Sequence, residues 1–145
     1  MTVEHANRQR PDEYRLEERF PPVADYLRLR LACGLSAKTE RAAERGLHGT
    51  LFGVSVKHGE QVVGMGRVIG DGGCFFEVVD IAVLPEHQRR GLGRRIMSAL
   101  SAWLRSNAPE SALVSLIADG KAALLYAEFG FRECGAASCA MVLKM

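Results

Sequence analysis

The residues whose types and spacing could do chemistry are concentrated between Val79 and Arg95. This stretch begins as an apolar run typical of a buried strand and ends in the turn Gln88–Gly93, which opens a helix. Such a turn is a site for anions, because unpaired backbone N–H groups and the positive end of the helix dipole meet there. Glycine lets a phosphate approach the backbone closely, since it carries no Cβ. A multivalent anion is indicated by the surrounding arginines: Arg89, Arg90, Arg94 and Arg95.

The spacing distinguishes this turn from other phosphate loops. The ATP-binding pattern Gly-x-x-x-x-Gly-Lys-Ser/Thr is absent, and so is the dinucleotide pattern Gly-x-Gly-x-x-Gly, because position 96 is Ile. What remains is Gln88-x-x-Gly91-x-Gly93. The alternative explanation is that the arginines lie in the solvent-exposed first turn of a helix and bind no ligand. It is disfavoured, because basic side chains in a first helical turn oppose the dipole unless an anion is present.

This turn, with the strand before it, resembles the acetyl-CoA pyrophosphate loop of the GNAT superfamily of N-acetyltransferases. The segment from Asp119 to Phe131 is similar to the family's second signature, Asn-x-x-Ala-x-x-Leu-Tyr-x-x-x-Gly-Phe, with Asp in place of Asn. With the order of elements, the resemblance covers nearly the whole chain. It implies direct transfer of the acetyl group of acetyl-CoA to a primary amine in a ternary complex, without a metal.

The resemblance also implies which residues hold the acetyl-CoA. In the family its pantetheine arm runs along the strand before the loop, so the backbone of residues 81–83 would bind it and donate to the thioester carbonyl. Gln88 would help to fix the turn. The binding residues implied are Ile81, Ala82, Val83, Gln88, Arg89, Arg90, Gly91, Leu92, Gly93, Arg94 and Tyr126.

Tyr126 matches the family tyrosine that hydrogen-bonds the sulfur of CoA and can protonate it, so it is the implied catalytic acid. The alternative is a core tyrosine on an amphipathic helix. Asp119 stands where the family often has Asn. An ionised carboxylate cannot donate a hydrogen bond, so the contact that Asn would donate to the cofactor is not expected at this position. A side-chain oxygen of Asp119 could still cap the following helix.

The base is Glu77 or Asp80, the carboxylates of the long strand. A base is needed because an alkyl ammonium with a pKa of about 10 is not nucleophilic at neutral pH. Some family members carry a strand glutamate that draws the proton, which makes Glu77 the predicted catalytic base. Three positions apart, the two carboxylates face opposite sides of a regular strand, and a bulge would change that. Water, or a purely structural role for either acid, stays open.

The acceptor side is expected from roughly residues 29–47, which offer Arg30, Cys33, Ser36 and Glu40. No acidic cluster appears there, which argues against polyamines. We expect a small-molecule amine as acceptor. The alternatives are a protein N-terminus, as for the enzymes that acetylate ribosomal proteins, and a non-catalytic CoA-binding regulatory module.

Composition favours one domain over residues 1–145, with residues 1–11 flexible. The hydrophobic content of 48% and charged content of 25% are ordinary for a globular protein. The net charge of +2 is too small to argue for nucleic acid, and no apolar run predicts a signal peptide or membrane span. Four cysteines without metal-ligand spacing predict reduced thiols in the cytoplasm and no metal site. A homodimer stays open as a common assembly.

Hydrophobic periodicity predicts the order β-α-α-β-β-β-α-β-α-β-β, an α/β (α+β) fold. The resemblance implies a mixed, largely antiparallel sheet with a central parallel strand pair, flanked by helices. The apolar face of the first helix is predicted to be Val23, Tyr26, Leu27 and Leu31. The strands are predicted at 14–20, 51–57, 61–69, 74–84, 112–118, 131–135 and 139–144, and the helices from 21, from 39, at 91–107 and at 121–129.

Overall fold

A computed structural model describes residues 13–145, so the segment predicted to be flexible, residues 1–11, lies outside the described residues. Within them a single five-stranded sheet has the order β1-β2-β3-β4-β5. The first four strands are antiparallel neighbours, and β4 and β5 are parallel. The strands are β1 Tyr14–Glu17, β2 Thr50–His58, β3 Gln61–Gly70, β4 Phe75–Val83 and β5 Leu113–Ser115.

Helices cover the sheet, which confirms the mixed α/β architecture. Thr39 begins the second helix as predicted, since its Oγ1 accepts a hydrogen bond of 3.1 Å from the Ala42 N–H. None of the helices in the described part of the chain is long and apolar enough to cross a membrane. The helices are α1 Val23–Ala32, α2 Glu40–Gly46, α3 Leu92–Asn107 and α4 Ala122–Ala127.

The apolar face predicted for α1 is partly wrong. Leu31 is 65% exposed, whereas Leu29 and the charged Arg30 are buried. The reason is tertiary, because Arg30 is ion-paired with Asp80 on β4, and this pairing brings a charged position to the packed side of the helix.

Helix α3 packs closely on the sheet because β3 has glycines beneath it. A Cβ added to Gly66 would lie 2.6 Å from Cγ2 of Ile96, and one added to Gly64 would lie 3.3 Å from Cδ1 of the same residue. Ile96 and Leu100 are fully buried in this contact. The glycines therefore set the depth at which α3, and the loop before it, sit against the sheet.

The closing hairpin predicted at 131–135 and 139–144 is wrong, because residues 128–145 contain no strand. A turn in which the Ser138 N–H donates to the Gly135 carbonyl at 2.9 Å does occur between the two segments. The apolar side chains beyond it, Met141 and Leu143 among them, are exposed. Strand-like composition does not suffice where no neighbouring strand pairs and no face is buried. The predicted fifth strand and last helix are likewise shorter than expected.

The close packing of α3 predicts opposite effects for two glycine substitutions. Gly66→Ala should lower the free energy of unfolding by about 1–3 kcal/mol, because the new methyl group overlaps a fully buried isoleucine. Gly46→Ala, in α2 with open space around it, should be neutral or raise stability by up to about 1 kcal/mol. Urea unfolding measures both, and equal stabilities would contradict this account of the helix–sheet contact.

Candidate active site

Strand β4 carries an extra residue near its middle. Met65 of β3 pairs with Ala82, whereas Arg67 pairs with Val79, so three steps along β4 oppose two along β3. Asp80 lies within this interval and has a φ of +59°. This is the left-handed region, which residues other than glycine rarely adopt. This combination is a β-bulge, which bends the strand and redirects the residues that follow.

The bulge places both strand carboxylates on the same face of the sheet. Glu77 pairs with Ile69, two positions along β3 from Arg67, and Arg67 is ion-paired with Asp80. Residues two apart in a strand share a face, so Glu77 and Asp80 both lie on the face that α1 covers. A regular strand would have separated them.

Beyond Glu77, β4 and β5 part. Their parallel pairing begins with Phe75 and Leu113 and ends with Glu77 and Ser115. Within the described residues, no strand pairs with the remaining part of β4 on the β5 side. The second half of β4 therefore presents an open edge, and Glu77 lies where that edge begins.

The open edge carries backbone groups that another extended molecule could pair with. The Leu84 N–H donates at 2.9 Å to the Val63 carbonyl on the β3 side. Because successive N–H groups alternate in direction along a strand, those of Ile81 and Val83 face the open side. Nε2 of Gln88 donates at 2.9 Å to the Val83 carbonyl, which ties the loop to the end of the strand as predicted.

The loop after β4 ends at a helix N-terminus with unpaired donors. Arg89 and Gly91 have φ values of +61° and +76°, which turn the chain sharply into α3. The first N–H to bond within the helix is that of Arg95, to the Gly91 carbonyl, so the N–H groups of residues 92–94 have no acceptor inside α3. A Cβ added to Gly91 would meet nothing within 4 Å, so space is open beside the turn.

The side chains of the four arginines that surround the turn in the sequence point in different directions. Arg94 forms an exposed ion pair with Glu128, at 2.9–3.1 Å. Arg95 donates to the Tyr14 carbonyl, and the Arg90 guanidinium lies 5.9 Å from the centre of the Tyr14 ring. The donors that an anion could meet here are therefore mainly backbone N–H groups, with Arg89 and Arg90 exposed beside them.

Helix α4 packs against the first turn of α3, which holds Tyr126 near the loop. A Cβ on Gly93 would lie 3.5 Å from Cδ2 of Leu125, the residue before Tyr126. Burial, and secondarily the negative charge of Asp119, raise the pKa of Tyr126 above its usual value of 10.0, so the phenol stays protonated at neutral pH. Asp119 gives α4 no side-chain cap; its main-chain carbonyl instead accepts from the Ala122 N–H at 3.2 Å.

The two carboxylates have different surroundings. The oxygens of Asp80 accept from Arg30, Arg67 and the Tyr26 hydroxyl, and its side chain is 5% exposed. Glu77 is half-buried and has no side-chain hydrogen bond or ion pair with any residue between 13 and 145. Glu77 is therefore the carboxylate available to take a proton, while Asp80 is held in an ion-paired cluster.

Sequence reasoning missed two members of that cluster, Arg67 and the hydroxyl of Tyr26. The signal for Arg67 was present, since it is a single charge within the apolar run Val62–Ile69. Of the residues expected on the acceptor side, Ser36 accepts hydrogen bonds from Arg30 at Oγ and at its carbonyl, whereas Glu40 is exposed. Cys33 is half-buried, and burial raises the pKa of its thiol.

Residues 49–133 match the acetyltransferase (GNAT) domain family. The chain belongs to the GNAT family. It is an acyltransferase by membership, and GNAT enzymes generally take the acetyl group from acetyl-CoA. A comparison with curated proteins finds no significant match.

Solved structures agree with this assignment to the GNAT family. A probable acetyltransferase from meticillin-resistant Staphylococcus aureus is 41% identical with a TM-score of 0.87, over 92% of this chain and all of that one. A GNAT-family acetyltransferase from Streptococcus pneumoniae is 26% identical with a TM-score of 0.72, over 92% and 98% of the two chains. The ribosomal-protein-S18-alanine N-acetyltransferase from Escherichia coli, 17% identical with a TM-score of 0.69 over 84% and 79%, shares the fold.

The loop geometry of this GNAT protein predicts that Gly91→Val weakens acetyl-CoA binding. The valine side chain would occupy the open space beside the turn, and the dissociation constant should rise at least about tenfold, or 1.4 kcal/mol. Gly72→Val is the matched control, because Gly72 has nearly the same φ, +79°, and open surroundings in the β3–β4 turn. Calorimetry should show wild-type affinity for this control. Equal weakening in both variants would mean that backbone strain, not the loop, is responsible.

Proposed function

We propose that this protein transfers the acetyl group of acetyl-CoA directly to the primary amine of a small molecule, with both substrates bound together. The observation that carries the proposal is the open edge of β4 leading to the unpaired N–H groups of α3. Together they form a line with unpaired backbone donors at both ends, the N–H groups of Ile81 and Val83 at one end and those of residues 92–94 at the other. An elongated molecule with amide groups at one end and a pyrophosphate at the other fits such a line.

The chain's binding roles follow from this line. The Val83 N–H, with Ala82 beside it, would pair with an amide of the pantetheine arm in the manner of an added strand, which leaves the Ile81 N–H for the thioester carbonyl. The pyrophosphate would be held by the backbone of residues 89–94 and the positive end of α3, with the exposed Arg89 and Arg90 adding charge. Gln88 would keep the loop attached to β4 through the Val83 carbonyl.

Three groups of the chain would carry the chemistry. Bound acetyl-CoA supplies an activated thioester. The Ile81 N–H would donate to the thioester carbonyl, where negative charge develops during transfer. Glu77, at the point where β4 and β5 separate, would take the proton from the ammonium group of the acceptor, directly or through water. Tyr126, whose raised pKa keeps it protonated, would give its proton to the departing thiolate.

Two alternatives remain distinct hypotheses: a protein N-terminus as the acceptor, and a CoA-binding module without turnover. Similarity to the ribosomal-protein enzyme from Escherichia coli concerns the fold alone. A panel of small amines and of peptides with free or blocked N-termini separates these possibilities. Products should be followed by mass spectrometry, because the exposed Cys74, Cys134 and Cys139 would react with thiol reagents. Acetylation of small amines is expected; acetyl-CoA binding without any product would contradict the enzymatic proposal.

Glu77→Gln should slow transfer most at neutral pH and much less at pH 9 or above. The reason is that an amine with a pKa of about 10 is increasingly deprotonated as the pH rises, so a base becomes dispensable. Steady-state turnover across this pH range measures the effect. Glu110→Gln, exposed in the turn between α3 and β5, should leave the profile unchanged. A uniform loss at every pH would remove Glu77 from the role of base.

Tyr126→Phe should reduce turnover by about 10²–10⁴, the usual range for a positioned general acid, with nearly unchanged affinity for acetyl-CoA. The ring remains, so the thermal midpoint should change little. Tyr14→Phe is the control, because it removes a hydroxyl that hydrogen-bonds His87 outside the proposed reaction. Normal turnover combined with reduced stability in Tyr126→Phe would show that Tyr126 is a packing residue.

A further inference from the structure

Asp80 occupies an unfavourable backbone conformation inside a strand. The other non-glycine residues with positive φ among the described residues, Arg89 and Ser111, lie outside the strands. A side chain in the left-handed region costs on the order of 1–2 kcal/mol, so surrounding contacts must hold it there. The bulge in β4 therefore depends on what Asp80 touches.

Both oxygens of Asp80 are held by guanidinium groups from different elements. Nη1 of Arg30, on α1, donates to Oδ1 at 2.5 Å, and Nε of Arg67, on β3, donates to Oδ2 at 2.7 Å. The three side chains are 9%, 10% and 5% exposed, so the ion pairs are shielded from solvent. We call this set, Arg30, Arg67 and Asp80, the guanidinium clamp.

The arginines of the clamp are themselves fixed. Arg30 donates from Nε and Nη2 to the carbonyl and the hydroxyl of Ser36, at 2.8 and 3.0 Å. Arg67 donates from Nη1 to the Gly46 carbonyl at 3.1 Å and to Oγ1 of Thr50 at 3.0 Å. The clamp thus connects the segment after α1, the end of α2 and the start of β2 to the bulge, and the position of Asp80 follows from the packing of all three.

We propose that Arg30 and Arg67 are positioning residues, which act through Asp80 to hold the β4 bulge and so aim the Ile81 N–H along the open edge. In a strand, gain or loss of one residue in the register turns the following residues to the other side. Without the bulge the Ile81 N–H would turn toward β3, away from the thioester carbonyl. This last step rests on the proposed function; the hold on the bulge does not.

The test replaces the whole clamp, because removing one charge would leave its buried partners unpaired. Two variants share Arg30→Met and Arg67→Met and differ only at the bulge, with Asp80→Gly in one and Asp80→Ala in the other. Glycine adopts a positive φ freely, whereas alanine does not. Arg28→Met, on α1 with a side chain 40% exposed, is the control for loss of an arginine outside the clamp.

The first measurement is made on the protein without ligand. Secondary backbone NMR shifts of residues 80–82, each corrected for residue type and neighbouring residue, should match the wild type in the glycine variant and in Arg28→Met, and should move in the alanine variant. Identical wild-type shifts in the glycine and alanine variants would overturn the proposal, since the bulge would then persist without the clamp. This measurement is independent of acetyl transfer, so a failure of the proposed function alone leaves it unaffected.

The second measurement uses acetyl-CoA labelled with ¹³C at the carbonyl. The glycine variant should bind it within about threefold of the wild type, because its bulge and the loop after β4 are unchanged, and both variants are measured at saturating acetyl-CoA. The carbonyl resonance should keep its wild-type position in the glycine variant and shift in the alanine variant. Equal resonances in the two would overturn the proposed aim of Ile81.

If the multiple variants do not fold, Arg67→Lys decides the question in the intact chain. A lysine keeps the charge but replaces the fixed donor fork with one ammonium group. The same shifts of residues 80–82 should then move relative to Arg28→Lys. Unchanged shifts in a folded Arg67→Lys protein would contradict the proposal.

Discussion

The arrangement of this site depends on one additional residue in β4. The sheet must accommodate it with a positive φ at Asp80, and it does so where a carboxylate can be held by two arginines. Buried ion pairs contribute little net stability, because desolvation of the charges offsets their attraction. Here the ion pairs contribute more to the geometry of the site than to the stability of the fold. Each guanidinium is also bonded to a separate part of the chain, so the bulge, α1 and the end of α2 are fixed relative to one another.

The candidate anion site obeys a different constraint. Side chains were expected to supply much of its charge, yet Arg94 is paired with Glu128 and Arg95 is directed to Tyr14. An exposed ion pair of this kind contributes at most about 1 kcal/mol, so it orients the side chain more than it stabilises the fold. The first backbone N–H groups of α3 remain as donors that have no acceptor within the helix and no side-chain cap from the described part of the chain. A site built from backbone depends on the position of the helix, which the glycines of β3 set.

In the proposed reaction, the acid and the base have different environments. Tyr126 is half-buried on α4, where burial keeps its pKa high and its proton bound. Glu77 lies at the start of the open edge with no ion-pair partner among residues 13–145. If arginines surrounded Glu77 as they surround Asp80, the oxygens of Glu77 would be engaged in ion pairs. Two neighbouring carboxylates on one strand thus serve separate purposes, one structural and one proposed as chemical, because the arginines reach only one of them.

The sequence by itself determined the local elements and the family. Apolar periodicity predicted β2, β3, β4 and α3 to within a residue or two at each end, and the spacing of Gln88, Gly91 and Gly93 predicted the loop, since these are properties of neighbouring residues. Composition could not supply the pairing partners of a strand, so the closing hairpin was predicted wrongly and β5 too long. The tertiary structure alone decided three features: which carboxylate has no ion-pair partner among the described residues, where the arginine side chains point, and where β4 separates from β5. Each depends on contacts between residues far apart in the chain, and on a bulge for which no local pattern exists.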